Sequence, residues 1–261
     1  PAVAADSPVA TADVFEVSWA IDLPITISAG LLGGTMHLMR EELVSDRCAP
    51  ACDASRVNAF DRTTIGTYSV LAVDAGNLLV GLNMALPHVF GVIDLFANDR
   101  SWYGLASDTA LVAEALAISV GIHQIAAFAS QRPRPYAYNA DLDPALLGEA
   151  NTYLSFYSGH TANSFAAASA YSTIFTHRHR GSRFIPAVWA LTHSLAGLEG
   201  YLRVTSGFHY WSDVLIGAAI GSTIGVVVPW LHLRDTVSKR RAYVAPLFGS
   251  SGNGVALVVS D

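Results

Sequence analysis

The chain has 261 residues, of which 52% are hydrophobic and 14% charged, against roughly 25% charged in an ordinary soluble domain. That composition excludes a disordered chain. The balance of 15 basic and 21 acidic residues, a net charge of −6, gives no sign of the basic face that a nucleic-acid partner requires.

The first residues, Pro1-Ala2-Val3-Ala4-Ala5-Asp6, have the small-residue character of the end of a secretory signal. Residues 1–13 therefore read as a signal remnant or flexible N-terminus. Six long apolar segments follow, over 14–39, 66–97, 109–130, 159–176, 184–202 and 210–233. Strand patterns are scarce, and the polar connections between the segments are rich in turn formers, most of all the proline-rich stretch from Gln131 to Ser155. The predicted fold is an all-α six-helix bundle over 14–241, with no linker or internal repeat to divide it. Residues 242–261 read as a short β-hairpin-like tail around a Gly-Ser-Ser-Gly-Asn-Gly run.

In the first connection, Cys48 and Cys52 have no third cysteine or histidine beside them. A small disulfide loop in an oxidising compartment is favoured over a zinc site or two free thiols. In the last segment, Val214 to Leu233 carry no Asp, Glu, Lys or Arg, a length sufficient to cross a hydrocarbon core of roughly 30 Å. Segments one to three are interrupted by Glu16, Asp22, Asp74, Asn77, Asn83, His88, Asp94, Glu114 and His123. Such groups must face the bundle interior, water or one another.

The basic connections His177–Arg183 and Lys239-Arg240-Arg241 share one side of the bundle. If that side is cytoplasmic, the cysteine loop and the connections after segments three and five face outward. A cleaved signal would start the chain outside, and six crossings would then leave the cysteine loop inside. The conflict disappears if segment one lies along the membrane surface or the bundle exterior.

Three connections on the outward side carry unusual chemistry. The first, Gln131-Arg132-Pro133-Arg134-Pro135-Tyr136, stiffens with proline a chain bearing two guanidiniums, whose planar forks suit phosphate oxygens. The second, Phe156-Tyr157-Ser158-Gly159-His160-Thr161, precedes an apolar helix, so that a serine hydroxyl and a glycine amide meet at a helix N-terminus, an anion cradle. The third runs from Arg203 to Asp213, with His209 and Asp213 four apart. On a helix the carboxylate would hold the imidazole as an orienter holds a nucleophile. Each has a plainer structural reading: a helix terminator, an N-cap with a buried histidine, and a chance i, i+4 pair.

Taken together, the three resemble the type 2 phosphatidic acid phosphatase superfamily, which includes bacterial acid phosphatases, lipid phosphatases and vanadium haloperoxidases. Arg134-Pro135, Ser158-Gly159-His160, and Arg203 with His209 and Asp213 match the family's three motifs, over roughly residues 109–233. Three positions depart: Ala127 stands where the family has a lysine, Tyr157 where it has proline, and Leu202 where it has serine. Arg132 and His123 are the candidates to replace the missing charge.

The resemblance implies a metal-free phosphatase of the bacterial cell envelope. It would hydrolyse a phosphomonoester or diphosphate, with a lipid phosphate favoured by the apolar bundle. His209 would attack phosphorus, Asp213 would fix its tautomer, and His160 would serve as acid and then base. Arg134, Arg203, Ser158 and Gly159 would hold the phosphate oxygens. No cofactor is implied, vanadate entering only as a phosphate mimic. The expected location is the inner membrane with the site toward the periplasm, or the periplasm itself; the oligomeric state is left open. Two alternatives stand beside this reading: a lipid phosphotransferase using the same histidine, and a non-catalytic lipid-binding relative. Glu199, four before Arg203, is expected to brace that guanidinium. His37, His88, His193 and His232 are expected in the core or at helix interfaces. Phe208, Tyr210 and Trp211 are expected either to line an acyl-chain path or to pack the bundle.

Overall fold

Each of the six apolar segments forms a long helix in a computed structural model of the protein, which describes residues 13–45 and 47–234 and the backbone of 241–249 and 252–260. Residues 1–12, nearly all of the expected signal remnant, lie outside the described residues. In chain order the helices are α1 (Trp19–Leu38), α2 (Arg40–Leu43), α3 (Val70–Ala97), α4 (Trp102–Ser130), α5 (Pro144–Gly148), α6 (Gly159–Arg178), α7 (Ile185–Thr205) and α8 (Trp211–Leu231). The short α2 and α5 lie in the polar connections. Strands β1 (Arg241–Gly249) and β2 (Gly252–Ser260) pair antiparallel, with Arg241 opposite Ser260.

Local chemistry sets the helix starts. Ser69, Ser101 and Ser158 each accept a hydrogen bond from a backbone N–H in the first turn of α3, α4 and α6, satisfying donors that a helix leaves without partners. α4 begins well before the predicted residue 109 because Asp108 is not a breaker there. It is buried and pairs with Arg100 at 2.9 Å, while Arg178 reaches the same carboxylate from α6. α4 ends where Gln131 turns left-handed (φ 40°) ahead of the Arg132-Pro133 step.

α6 is the central helix, packed by α3, α4, α7 and α8. Its buried positions are mostly small: Ala162, Ser164, Ala166, Ala167, Ala168, Ser169 and Ala170. α8 meets it with Gly217, Gly221 and Gly225, one per turn. A Cβ at these positions would stand 2.6, 2.1 and 2.3 Å from the carbonyl oxygens of Ser158, Ala162 and Ala166. Small residues on both sides let the backbones touch, and this brings the N-terminal ends of α6 and α8 together.

α1 packs mainly on α4 and runs parallel to it along the bundle exterior. Asp22 lies beside Glu114, and Gly33 lies beside Val120 and Gly121. One end of the bundle therefore holds the Asp13–Val17 segment, with Phe15 bridged to Leu233 and Asp13 paired with Arg178 at 2.9 Å. The other end holds the Cys48–Cys52 disulfide. α1 runs the distance between the two ends on the exterior of the bundle.

Among the described residues, three stretches are long and apolar enough to cross a membrane: Val70–Ala97, Trp102–Tyr138 and Trp211–Leu231. Leu31, Leu71, Leu78 and Leu215 point outward from α1, α3 and α8. Trp19, Trp102 and Trp230 are exposed at the end bearing Arg178.

Candidate active site

The second end of the bundle contains a cavity of about 340 Å³. His123 and Gln124 of α4, Arg134 and Asn151 of the proline-rich connection, Gly159, His160 and Asn163 of α6, and His209 line it. Gly33, Gly34 and His37 of α1 form a further wall.

His209 sits in the turn between α7 and α8, not on the helix that the four-residue spacing suggested. Gly207 makes that turn at φ 77°, with its backbone so close to Thr67 that a Cβ would stand 1.8 Å from the Thr67 carbonyl oxygen. Only glycine combines this φ with this approach. His209 is buried, and its Nδ1 lies 2.7 Å from the Ser155 carbonyl oxygen. A carbonyl can only accept, so Nδ1 carries the proton and Nε2 is unprotonated, its lone pair accepting from Arg134 Nη1 at 3.3 Å. Burial first, and the Arg134 charge second, lower the His209 pKa to about 4 against the opposing pull of Asp213.

Asp213 is expected to orient His209, yet its Oδ2 stands 3.8 Å from Nδ1, beyond hydrogen-bond range. Its carboxylate accepts instead from the Tyr210 backbone at 3.1 Å, Ser155 Oγ at 2.6 Å and Arg132 Nη1 at 2.6 Å. The tautomer is set by the Ser155 carbonyl; Asp213 positions that loop through the Ser155 hydroxyl. The Asp213 carbonyl also accepts from Ser158 N at 3.1 Å, joining the second motif to the third.

Arg134 is buried with its guanidinium fixed on three sides. It donates to the Asn151 carbonyl (2.7 Å), the Asn151 side chain (2.9 Å) and the Phe208 carbonyl (3.0 Å). The other expected phosphate ligands are placed differently. Arg203 reaches across to α3, donating to Asn77 at 3.2 Å and the Val73 carbonyl at 3.0 Å, with Glu199 3.1 Å from its Nε. It does not line the cavity. The Ser158 hydroxyl is committed to Thr161 as the α6 cap, with the two hydroxyls 2.8 Å apart. Gly159 does line the cavity, its backbone close enough to His123 that a Cβ would stand 2.8 Å from Nε2.

Of the two candidates for the missing lysine charge, Arg132 is directed away. It spans Asp213 and Asp61, the latter at 2.8 Å, and stacks over Tyr210 at 3.9 Å. His123 is the one on the cavity. Ala127 is fully buried in an apolar cluster with Val44, Ala150, Tyr153 and Leu154. Phe208 lies under the Arg134 guanidinium at 4.7 Å and Tyr210 under Arg132, so these two rings pack the site instead of forming a path through it.

Several contributors lack a sequence signal. Asp61, in the connection before α3, is fully buried. It accepts from Ser212 N at 3.0 Å, Asn58 at 2.7 Å and Arg132. Burial works to raise its pKa, but the hydrogen bonds from Arg132 and Ser212 outweigh it and hold the carboxyl below its usual range. Ser155 acts through a backbone oxygen, and Asn151 and His37 come from segments with no motif. Asn163 had a signal: it follows His160 by three on one helix face, and its buried Oδ1 has no hydrogen-bond partner among the described residues. A grouping of metal-type ligands, Asp22, Glu114 and His232, lies away from this cavity, toward the other end of the bundle.

Residues 108–236 match the PAP2 superfamily, the type 2 phosphatidic acid phosphatases, and the chain belongs to that superfamily. A 77-residue stretch is 39% identical to a lipid A 1-phosphatase of Porphyromonas gingivalis. That stretch covers 30% of this chain and 16% of the relative, so the chain accounts for under a fifth of that protein's length. A transmembrane PAP2-type phosphatidylglycerolphosphate phosphatase of Bacillus subtilis aligns over 84% of this chain and 98% of its own, at 18% identity and a TM-score of 0.49. LpxE of Aquifex aeolicus aligns over 63% and 98%, at 22% identity and a TM-score of 0.37.

Proposed function

We propose that the chain is a membrane-embedded phosphatase that removes phosphate from a lipid phosphate through a phosphohistidine intermediate. One observation carries this reading: an imidazole with an unprotonated Nε2, held by a hydrogen bond from Arg134, lines one cavity with that guanidinium and a second histidine, His160. In the first step His209 Nε2 bonds to phosphorus as the bond to the lipid oxygen breaks. His160, in its imidazolium form, gives that oxygen a proton. A bound phosphate dianion favours this form, because opposite charge nearby stabilises the protonated ring. Neutral His160 then takes a proton from water as the water oxygen bonds to phosphorus and releases His209. Arg134 and the Gly159 amide, at the N-terminus of α6, face the charge on the equatorial oxygens.

The lipid substrate is inferred from the outward apolar faces and the three stretches long enough to cross a membrane. The exposed tryptophans at the Arg178 end suit a membrane-water boundary there, which leaves the cavity near the opposite surface, on the outward, periplasmic side. A cavity of about 340 Å³ fits a head group, not a diacyl body, so the chains would stay in the bilayer. A second reading, lipid phosphate binding without turnover, is favoured by the cavity's having one arginine where the motifs promised two and an auxiliary third.

The test is phosphate release by the detergent-solubilised chain from a glycerophospholipid phosphate, an isoprenoid diphosphate and a lipid A-type glycolipid phosphate, with a lipid alcohol added in parallel. Turnover that His209→Ala lowers by about three orders of magnitude or more, in a protein that still melts cooperatively, supports the hydrolase. Phosphorylated alcohol in place of free phosphate identifies a transferase. Equal background release from both proteins rejects catalysis.

A further inference from the structure

Away from the phosphate cavity, toward the other end of the bundle, three side chains from three helical segments converge. Asp22 stands in the first turn of α1, Glu114 in the middle of α4 and His232 at the end of α8. One ligand atom from each lies within 4.8 Å of the other two. His232 Nε2 is 3.2 Å from Asp22 Oδ2 and 3.7 Å from Glu114 Oε2.

The polarity of these atoms matters more than their proximity. His232 Nδ1 is 2.8 Å from the Val228 carbonyl oxygen, so its proton is directed to the backbone and Nε2 presents a lone pair. Glu114 is only 5% exposed, and among the described residues its one ion-pair partner, His232 Nε2, stands at 3.7 Å, beyond hydrogen-bond range. Three electron-pair donors therefore face one point, an arrangement that a cation among them would stabilise. A proton on Nε2 leaves one imidazolium against two carboxylates, a net negative charge in an apolar bundle. A divalent ion with neutral imidazole and two carboxylates is neutral.

We propose that Asp22, Glu114 and His232 bind a divalent transition-metal cation. The His232–Val228 hydrogen bond is the outer-shell contact that metal-bound histidines commonly make. Ligands about 2.0–2.2 Å from an ion lie roughly 3.3 Å from one another, close to the separations from His232. One imidazole and two carboxylates suit Zn²⁺ or Mn²⁺ more than a soft ion. Asp22 and His232 keep side-chain exposures of 12% and 13%, enough for ion entry and for water to complete the coordination shell. The site ties the start of α1 to α4 and α8, and the far end of α1 carries Gly33, Gly34 and His37, one wall of the phosphate cavity. The cation would thus fix that wall without taking part in the chemistry.

The experiment uses the purified full chain, stripped with chelator and titrated separately with Zn²⁺ and Mn²⁺. Bound metal is counted by mass spectrometry after desalting, and stability is followed by thermal melting. The expected result is one ion per chain and a rise in Tm that chelator reverses. Glu114→Gln, an isosteric change, and Asp22→Asn should each weaken binding at least tenfold while the melt stays cooperative. If either variant fails to fold, the other and the wild-type stoichiometry decide. Absence of stoichiometric metal with an unchanged Tm means that a proton fills the triad and overturns the proposal, as does binding that neither substitution weakens.

Discussion

At the residue scale, the proposed chemistry turns on which nitrogen of His209 is unprotonated, and a backbone carbonyl of Ser155 decides it. Because burial and Arg134 hold the folded pKa near 4, against the usual 6.5, the ring stays unprotonated in the folded state where an unfolded chain binds a proton. The unfolded state gains protons as pH falls below 6.5, so the stabilisation is present above 6.5 and is lost as pH falls toward 4. At pH 5 the loss amounts to about 2 kcal/mol. Chemical denaturation at pH 7 and pH 5 should show wild type losing about that much more stability than His209→Asn. By the same shift, any acid limb in kcat/KM above pH 5 belongs to a group other than His209.

Position 127 belongs to this scale as well. The family's lysine site is here a fully buried alanine among Val44, Tyr153 and Leu154, where an ammonium would lose its water without gaining a partner. Ala127→Lys should therefore destabilise the protein by about 2–4 kcal/mol and leave phosphate release no faster, measured by thermal melting and by assay. A faster enzyme of unchanged stability would show that the side chain reaches the cavity.

At the element scale, the site exists because α6 and α8 touch backbone to backbone. Gly217, Gly221 and Gly225 contribute no side chain, and this sets the distance between the loop carrying His209 and the helix start carrying His160. Gly221→Val places its Cβ 2.1 Å from the Ala162 carbonyl, so the helices must part. The expected cost is about 3 kcal/mol or more, with loss of activity preceding loss of helicity in circular dichroism. Gly197→Val, with nothing within 4 Å of an added Cβ, is the matched control.

At the scale of the whole molecule, the parallel course of α1 beside α4 separates two ends of different character. One gathers the disulfide and the cavity, and the other the Arg178 ion pairs, the exposed tryptophans and the Asp22–Glu114–His232 triad. The His177–Arg183 connection lies at the second end. In sealed bacterial spheroplasts trypsin should leave Arg180 and Arg183 uncut, whereas in inverted vesicles it should cleave there, with the fragments sized by gel. Cleavage in intact spheroplasts would reverse the proposed orientation.

The sequence by itself determined the six helices, because apolar runs of this length interrupted by proline, glycine and serine have few other ways to satisfy their backbone. It also singled out Arg134, His160 and His209, which the fold brings to one cavity. What only the tertiary structure decided is where polar side chains are directed. Arg203 and Ser158 belong to motifs but bind α3 and the α6 cap, whereas Asp61, Asn151 and the Ser155 carbonyl belong to none and buttress the site. The reason is physical: helix formation is encoded in short-range periodicity, but a hydrogen bond between residues 54 or 151 positions apart depends on how helices pack, and that packing is set by glycines whose role no local pattern reveals.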